Sequence, residues 1–334
     1  MDKKVKITLL STIKRGRKST RYLTKYNNNY ASVKLDNNEN YSRGMEIEVS
    51  EKEINDKEFK EAWVKDIKSW EDKKRKILEH LSKYKKEKIT ETEGYWRNKD
   101  GDIIFYPHIL PDDEEKKNIL DSAYKASIEN LYDEKKNKGN NVIHIGFKNL
   151  NSSQAFAFNF FKPIIDENIF DKLLSDSQIS TIDESDFEKK NPDRTQFDFF
   201  LQSGKVKCCF EVKYTESDFG AASQNSDYSN YKEKLKELLK EKIEKEDFFD
   251  EYQLWRNIIF ALDGYQVFFV FPKFRDDLAK KVEDAKNKCK DNFKDNIKIL
   301  YVNDFVEKMK NSENKKLRDH YTEFSKKYLE IPTI

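Results

Sequence analysis

The stretch that decides the fold is residues 195–214, which read TQFDFFLQSGKVKCCFEVKY. Polar and apolar residues alternate on both sides of Ser203-Gly204, a pattern typical of two half-buried β-strands joined by a tight turn. Asp198 lies on the polar face of the first strand. Glu211 and Lys213 share one face of the second strand, opposite an apolar face. The stretch therefore predicts a β-hairpin with three charged groups on one side.

The turn length sets the geometry of these charged groups. A two-residue turn at Ser203-Gly204 would place Asp198 opposite Cys209, with Glu211 as its diagonal neighbour at about 7–8 Å. Two carboxylates at this distance can hold one hard divalent cation between them. Buried without partners, the charges would cost several kcal/mol. A metal ion in a cleft would account for them.

A surface hairpin with a solvated Lys–Glu ladder is the alternative, because the bare Glu-x-Lys spacing is common in this chain. It also starts at Glu58, Glu71, Glu114, Glu115, Glu134, Glu188 and Glu313. The copy at Glu211 differs in having an apolar opposite face and an Asp in the preceding strand.

Outward from the hairpin, the pattern predicts a mixed sheet flanked by helices, an α/β fold. Ser152 or Ser153 is expected to cap a helix that Pro163 kinks or divides. The predicted strands are 142–147, 179–188, 195–202, 206–214, 265–271 and 297–302. The predicted helices are one from residue 152, one or two within 228–262, one at 274–290 and a tail over 306–334.

The N-terminal part of the chain differs in composition and in its predicted secondary structure. Residues 1–50 form a basic segment in which only Tyr30–Leu35 predicts a strand. Residues 51–139 are mainly helical, over 50–88 and 112–138, with a hairpin between Tyr95 and Tyr106. Residues 140–305 would form the sheet-containing core.

Charge is unevenly distributed although the chain carries a net charge of only +2. Residues 1–44 hold eleven basic residues against three acidic ones. The cluster Lys14, Arg15, Arg17 and Lys18 suits a phosphate backbone. A solubilising arm is the alternative.

Composition excludes several classes of protein. The 24 Phe and 17 Tyr can build a core despite 38% charged residues, so a wholly disordered chain is excluded. No apolar run reaches the roughly 20 residues of a membrane span. The three Cys cannot form a secreted disulfide framework, and the four scattered His argue against a zinc site. We expect a reducing, cytoplasmic location.

Asp198, Glu211 and Lys213 resemble the active-site signature of the PD-(D/E)XK nuclease superfamily. Three further segments resemble a bacterial family of restriction endonucleases within it: YPHIL at 106–110, SSQA at 152–155 with Phe158-Asn159, and EVKYTE at 211–216. The resemblance covers about residues 60–305. It implies a restriction-endonuclease-like αβββαβ core, with a helical N-terminal elaboration.

The resemblance also implies roles. Asp198, Glu211 and the Val212 carbonyl would ligate Mg²⁺, for which Mn²⁺ can substitute. Lys213 would activate water or stabilise charge on the phosphate. Asp193, in the literal Pro192-Asp193, is the alternative motif Asp.

Other residues are weaker candidates. Auxiliary roles are expected for Gln154, Asn159, Glu216 and Gln253, with packing, capping or solvation as the alternative. Arg256 is expected to contact phosphate, with an ion pair to Glu251 or Asp263 as the alternative. The implied function is Mg²⁺-dependent cleavage of double-stranded DNA in restriction or anti-phage defence, with a cognate methyltransferase and a homodimer as expected partners. A repair or recombination nuclease and a non-catalytic DNA-binding protein on the same scaffold are the alternatives.

Overall fold

The structure is a computed structural model that describes residues 3–9, 11–15, 19–26, 29–36, 45–55, 61–98, 101–137, 142–174, 182–190, 196–222 and 229–332. The chain divides into two compact units. The N-terminal unit comprises residues 1–73 and 216–256, and the sheet unit comprises residues 74–215 and 257–334. The predicted domain boundaries at residues 50, 139 and 305 stay predictions.

The beginning of the chain is built from strands, of which the sequence predicts only one. These are β1 (Lys4–Thr8), β2 (Ser11–Arg15), β3 (Ser19–Tyr26), β4 (Asn29–Asp36), β5 (Glu46–Ser50) and β6 (Ile54–Asn55). β1 pairs with β5, and the order β2-β3-β4-β6 forms a second sheet. Ile7, Leu9, Val33 and Val49 belong to one buried cluster. Cross-strand pairing thus stabilises segments whose local sequence is mostly polar.

A long helix and a short hairpin follow. α1 spans Glu61–Lys88, so it begins about ten residues later than predicted. β7 (Gly94–Arg97) and β8 (Ile103–Tyr106) form the predicted hairpin. The helix predicted over 112–138 is shorter, because α2 begins only at Lys125 and ends at Asn137. Before it, the backbone N–H of Leu120 donates to Asn159 Oδ1 at 2.9 Å instead of to a helical carbonyl.

The strand predicted over 142–147 is wrong, because Ile145–Lys148 form a 3-10 helix. The backbone N–H of Gly146 donates to His144 Nδ1 at 2.9 Å. The N–H of His144 itself donates to Gln154 Oε1 at 2.9 Å. Local hydrogen bonds to side chains therefore override the β propensity of the Val and Ile residues here.

Helix α3 (Ser153–Asp166) covers one face of the central sheet, and the short α4 (Phe170–Leu173) follows it. Ser152 caps α3 as predicted, and its side chain accepts from the Ala155 N–H. Pro163 lies inside α3 without dividing it. The Phe161 ring stacks on Phe199 of the sheet at 4.4 Å between centroids, which fixes α3 against the strands.

The central sheet of the sheet unit has five strands. They are β9 (Glu184–Lys190), β10 (Gln196–Ser203), β11 (Val206–Val212), β12 (Gln266–Phe271) and β13 (Ile297–Tyr301). The spatial order is β13-β12-β11-β10-β9. β9, β10 and β11 are antiparallel neighbours, whereas β11, β12 and β13 run parallel. The predicted mixed sheet in an α/β fold is confirmed.

The register between β10 and β11 corrects the predicted turn. Ser203 pairs with Val206, so the turn residues are Gly204 and Lys205. Gly204 has φ 57°, a conformation that favours glycine. Each residue of β10 therefore faces a residue two positions further along β11 than predicted. A shift by two keeps every side chain on its face, because the side-chain period of a strand is two.

The remaining helices are α5 (Ser229–Leu238), α6 (Lys245–Asp250), α7 (Tyr252–Ile258), α8 (Asp276–Lys288), α9 (Asp291–Lys294), α10 (Val302–Lys310) and α11 (Lys315–Tyr328). The predicted helices after β11 and after β12 and the predicted helical tail are thus confirmed. Within the described ranges, every helix is too short or too polar to cross a lipid bilayer. α11 packs on α3, and Tyr321 Oη donates to the Phe160 carbonyl at 2.7 Å.

Candidate active site

The ends of β10 and β11 bring the predicted charged residues together. Phe199 pairs with Phe210, and the next pair in this register places Asp198 opposite Glu211. The backbone N–H of Val212 donates to Asp198 Oδ2 at 2.6 Å. Lys213 Nζ lies 2.8 Å from Glu211 Oε1, and both side chains are buried. The predicted trio therefore forms one cluster at the strand ends.

Backbone hydrogen bonds fix the end of β11. The Lys213 N–H donates to the Val270 carbonyl of β12 at 2.9 Å. Val212 pairs with Val270 in the parallel ladder. The Lys213 side chain thus projects from a rigid sheet rather than from a loop.

Asn257 of α7 is a site residue that sequence reasoning missed. Its Nδ2 donates to Glu211 Oε2 at 2.6 Å, and the residue is only 2% exposed. Its Oδ1 is buried without a hydrogen-bond partner in the described structure. An unpaired buried amide oxygen is costly, so this atom is suited to accept a hydrogen bond from water or to coordinate a cation. No motif marks Asn257 in the sequence, since a lone Asn on a helix is common.

Glu188 of β9 is the second residue that the sequence did not single out. Phe197 pairs with Lys189 and Phe199 with Phe187, so Glu188 lies opposite Asp198 on the other side of β10. Gln154 Nε2 donates to Glu188 Oε1 at 2.7 Å, and Gln196 Nε2 donates to its Oε2 at 2.5 Å. Glu188 begins a Glu-x-Lys sequence, but seven other glutamates in the chain do so as well, and the spacing therefore does not distinguish it.

The backbone of Glu188 is strained. Its φ of 54° lies in the left-handed region, which costs a non-glycine residue on the order of 1–3 kcal/mol. Strain of this kind persists only where the surroundings enforce it, and it clusters at functional sites.

The carboxylates of the cluster repel one another. Loss of hydration raises the pKa of Asp198 well above its ordinary value, and the charges of Glu211 and Glu188 raise it further. Lys213 and the Val212 N–H act in the opposite direction. Loss of hydration, with the charge of Glu211, also raises the pKa of Glu188 to about 7. The three carboxyl groups therefore repel one another strongly enough that ionisation of all three at once is disfavoured.

The donor atoms suit a hard cation only in part. Carboxylate oxygens of Asp198 and Glu211 and the amide oxygen of Asn257 are the ligand types that Mg²⁺ and Mn²⁺ prefer. Across the described ranges, however, no three His, Cys, Asp or Glu side chains are placed to hold one metal ion together. A cation here would rest on two carboxylates, with other oxygen donors completing its shell.

Gln154 and Asn159 differ in their surroundings although both lie on α3. Gln154 contacts Glu188 and also donates to the Val142 carbonyl at 2.9 Å. Asn159 is fully buried in the core, where its side chain bonds to Leu120 N, the Ala155 carbonyl and Tyr328 Oη. Gln154 thus joins the cluster, whereas the described bonds of Asn159 serve helix packing.

The remaining candidates belong to the N-terminal unit or fall outside the described residues. Gln253 packs on Gly220 of that unit, and its N–H donates to the Phe219 carbonyl at 3.1 Å. Glu216 is partly exposed, and the Arg256 guanidinium lies 5.8 Å from the Tyr252 ring centroid. Lys14 and Arg15 lie in β2, with side chains outside the described structure. Arg17, Lys18 and Asp193 are among the residues not described.

Comparison with known proteins identifies the family. No curated protein and no solved structure matches the chain significantly. The model of one protein family, described as Restriction Endonuclease associating with ARP, matches residues 78–329. The match includes the cluster at β10 and β11, together with Glu188 and Asn257, and extends through the helical tail to α11. Because it spans well over half of the chain, this chain belongs to the family of restriction endonucleases associating with ARP.

Proposed function

We propose that this chain is a Mg²⁺-dependent endonuclease that hydrolyses phosphodiester bonds in double-stranded DNA, in restriction or anti-phage defence. The single observation that carries the proposal is the contact of Lys213 with Glu211 at the strand end where Asp198 lies alongside. Membership of a restriction endonuclease family supports DNA as the substrate. The order α3, β9, β10, β11, α7 and β12, with the short α4 after α3 and with α5 and α6 before α7, agrees with the αβββαβ order of the PD-(D/E)XK superfamily.

Each residue of the cluster has its own role in the proposed reaction. Asp198 and Glu211, with the Val212 carbonyl, would hold Mg²⁺, and Mn²⁺ can substitute. When bound, the cation supplies a Lewis acid for a phosphoryl oxygen and lowers the pKa of a bound water molecule. Asn257 orients Glu211 through its 2.6 Å hydrogen bond. Lys213 directs an ammonium group at the negative charge that develops on the phosphate.

A cleavage assay tests this function. Plasmid and phage DNA are incubated with Mg²⁺ and one of three proteins: the wild type, Asp198→Asn or Lys213→Ala. Each of the two substitutions is expected to lower the cleavage rate by about 10²–10³-fold. Asp319→Asn and Lys315→Ala are matched controls, since this exposed ion pair lies on α11. Discrete fragments from the wild type and the controls alone would support restriction.

Other outcomes would point elsewhere. Cleavage confined to branched DNA would favour a repair or recombination nuclease. Equal activity of all variants would remove the assigned site. DNA binding without cleavage of modified or unmodified DNA would favour a binding protein on this scaffold.

Association with other proteins is a second part of the proposal. The family is named for association with ARP, and we propose that this chain also associates with ARP. Co-purification of the tagged chain with ARP would support the association, and independent migration of the two proteins would contradict it. Sedimentation analysis tests the proposed homodimer, and protection of methylated DNA from cleavage tests a cognate methyltransferase.

A further inference from the structure

Glu188 has no part in the reaction proposed above, although its carboxylate belongs to the same cluster. It lies opposite Asp198 in the sheet, one strand further from Glu211. Among the described contacts, both carboxylate oxygens accept one amide N–H each, from Gln154 and Gln196. A carboxylate accepts about four hydrogen bonds in total, so this arrangement orients the group without saturating it.

Gln154 has no freedom to turn away from Glu188. Its Oε1 accepts the His144 N–H at 2.9 Å, and its Nε2 is shared between the Val142 carbonyl and Glu188. The amide is thereby locked by the 142–144 backbone and delivers its N–H to the carboxylate. Such a clamp on a strained residue indicates a defined task for the Glu188 carboxylate.

Packing alone does not explain a carboxylate in this place. Lys135, whose charge acts on Glu188, forms its ion pair with Asp186. Lys213, the cation of the cluster, contacts Glu211. Glu188 therefore adds negative charge where two carboxylates already repel each other, which opposes folding unless a cation binds.

Direct coordination by Glu188 is not supported. In the described parts of the chain, no three acidic, His or Cys side chains converge on one ion position. The carboxylate can act at longer range, through its charge and through water held by a cation, as groups around a coordination shell do.

We propose that Glu188 is a positioning residue of the site: clamped by Gln154 and Gln196, it strengthens the binding of a divalent cation at Asp198 and Glu211 without being a ligand. This inference rests on the proposed function. It also assigns Gln154 the task of holding Glu188.

Calorimetric titration of Mn²⁺ into the full-length protein without DNA tests the inference. Glu188→Gln removes the charge and is expected to raise the Kd by about tenfold or more. Glu184→Gln is the matched control, because it makes the same change on the same strand at an exposed carboxylate paired with Lys189. Glu188→Asp keeps the charge and is expected to retain most of the affinity.

A second variant guards against a folding defect. Gln154→Leu keeps the Glu188 charge but releases its carboxylate, and it too is expected to raise the Kd. Circular dichroism without Mn²⁺ verifies that each variant is folded. Should Glu188→Gln not fold, an unchanged Kd for folded Gln154→Leu would overturn the inference.

The outcomes separate this inference from the proposed function. Loss of Mn²⁺ binding in Asp198→Asn with wild-type affinity in Glu188→Gln would overturn the role of Glu188 alone. An equal loss in Glu184→Gln would reduce the effect to general surface charge and would also overturn it. Absence of Mn²⁺ binding in the wild type would overturn the cation site itself, and this inference with it.

Discussion

The sheet unit encloses polar groups in two places, and the two places differ in how completely these groups are hydrogen-bonded and neutralised. Between α3 and α11, Lys327 Nζ donates to the Asn118 carbonyl at 2.6 Å and to Asn118 Oδ1 at 2.7 Å. His320 bridges Ser122 Oγ and the Asn159 carbonyl at 2.7 Å each. We call this group the α11 network.

At the ends of β10 and β11, by contrast, three carboxyl groups repel one another, and Lys213 contacts Glu211. Among the described residues, the Oδ1 of Asn257 accepts no hydrogen bond. The α11 network satisfies its polar atoms and therefore contributes to stability. The carboxylate cluster is left electrostatically incomplete, which is typical of a site that sacrifices stability for function. The comparison shows that burial of a polar group is informative only together with its partners.

The sharpest test of this contrast is the response to a divalent cation. A cation that binds only the native state at 100 times its Kd raises the free energy of unfolding by about 2.7 kcal/mol. Thermal melts with Mn²⁺ should show this stabilisation for the wild type and not for Asp198→Asn. Without a cation, Asp198→Asn should be at least as stable as the wild type, because repulsion is relieved and its amide oxygen still accepts the Val212 N–H. An equal rise of Tm in both proteins would contradict the contrast.

The α11 network should respond in the opposite way. Lys327→Met leaves Asn118 Oδ1 without its donor and is expected to lower the free energy of unfolding by about 1–3 kcal/mol. DNA cleavage by the folded protein should not change. Urea denaturation measures the effect, with the exposed Lys326→Met as control. A stable but inactive Lys327→Met would show that the network serves the reaction.

Asn257 tests whether the cluster needs its orienting groups. Asn257→Leu removes the 2.6 Å hydrogen bond to Glu211 and should lower the cleavage rate by about tenfold. Asn287→Leu, at an exposed position on α8, is the control and should cleave like the wild type. If both variants cleave equally fast, Asn257 only packs against the sheet.

The two places should also differ in the sign of their pH dependence. Burial raises the pKa of Glu188 from 4.5 to about 7, so between these values the native state holds a proton that the unfolded chain has lost. Its contribution to stability is therefore lost as the pH rises towards 7. Burial lowers the pKa of Lys327 from 10.5 to about 7, so its unfavourable contribution is relieved as the pH rises from 7 to 10.5.

The free energy of unfolding of each variant is subtracted from that of the wild type at each pH. This difference removes the contributions of the other titrating residues. The stability advantage of the wild type over Glu188→Gln should shrink between pH 4.5 and 7. Its advantage over Lys327→Met should grow above pH 7. Flat difference profiles from urea denaturation would show that neither pKa is shifted.

The sequence predicts the sheet well and the polar N-terminal strands poorly. In β10 and β11 the alternation is strong, because Phe side chains face a core. In the first 55 residues, β1 and β5 form strands because they pair with each other. A local apolar pattern does not reveal such pairing. The wrong strand at 142–147 also results from contacts that the local pattern does not show, since backbone hydrogen bonds to the side chains of His144 and Gln154 override a β-prone sequence.

By itself, the sequence determined that Asp198, Glu211 and Lys213 share one face of a hairpin, because alternation with period two survives even the two-residue error in register. Only the tertiary structure decided that Glu188 and Asn257 join them, and that Gln154, which the sequence marks as an auxiliary candidate, does so through Glu188. Glu188 is brought in by the β9–β10 register, Gln154 by the docking of α3, and Asn257 by α7, 46 residues after Glu211. These residue types are common in the chain, and contacts over such separations depend on how elements pack, which no local pattern encodes.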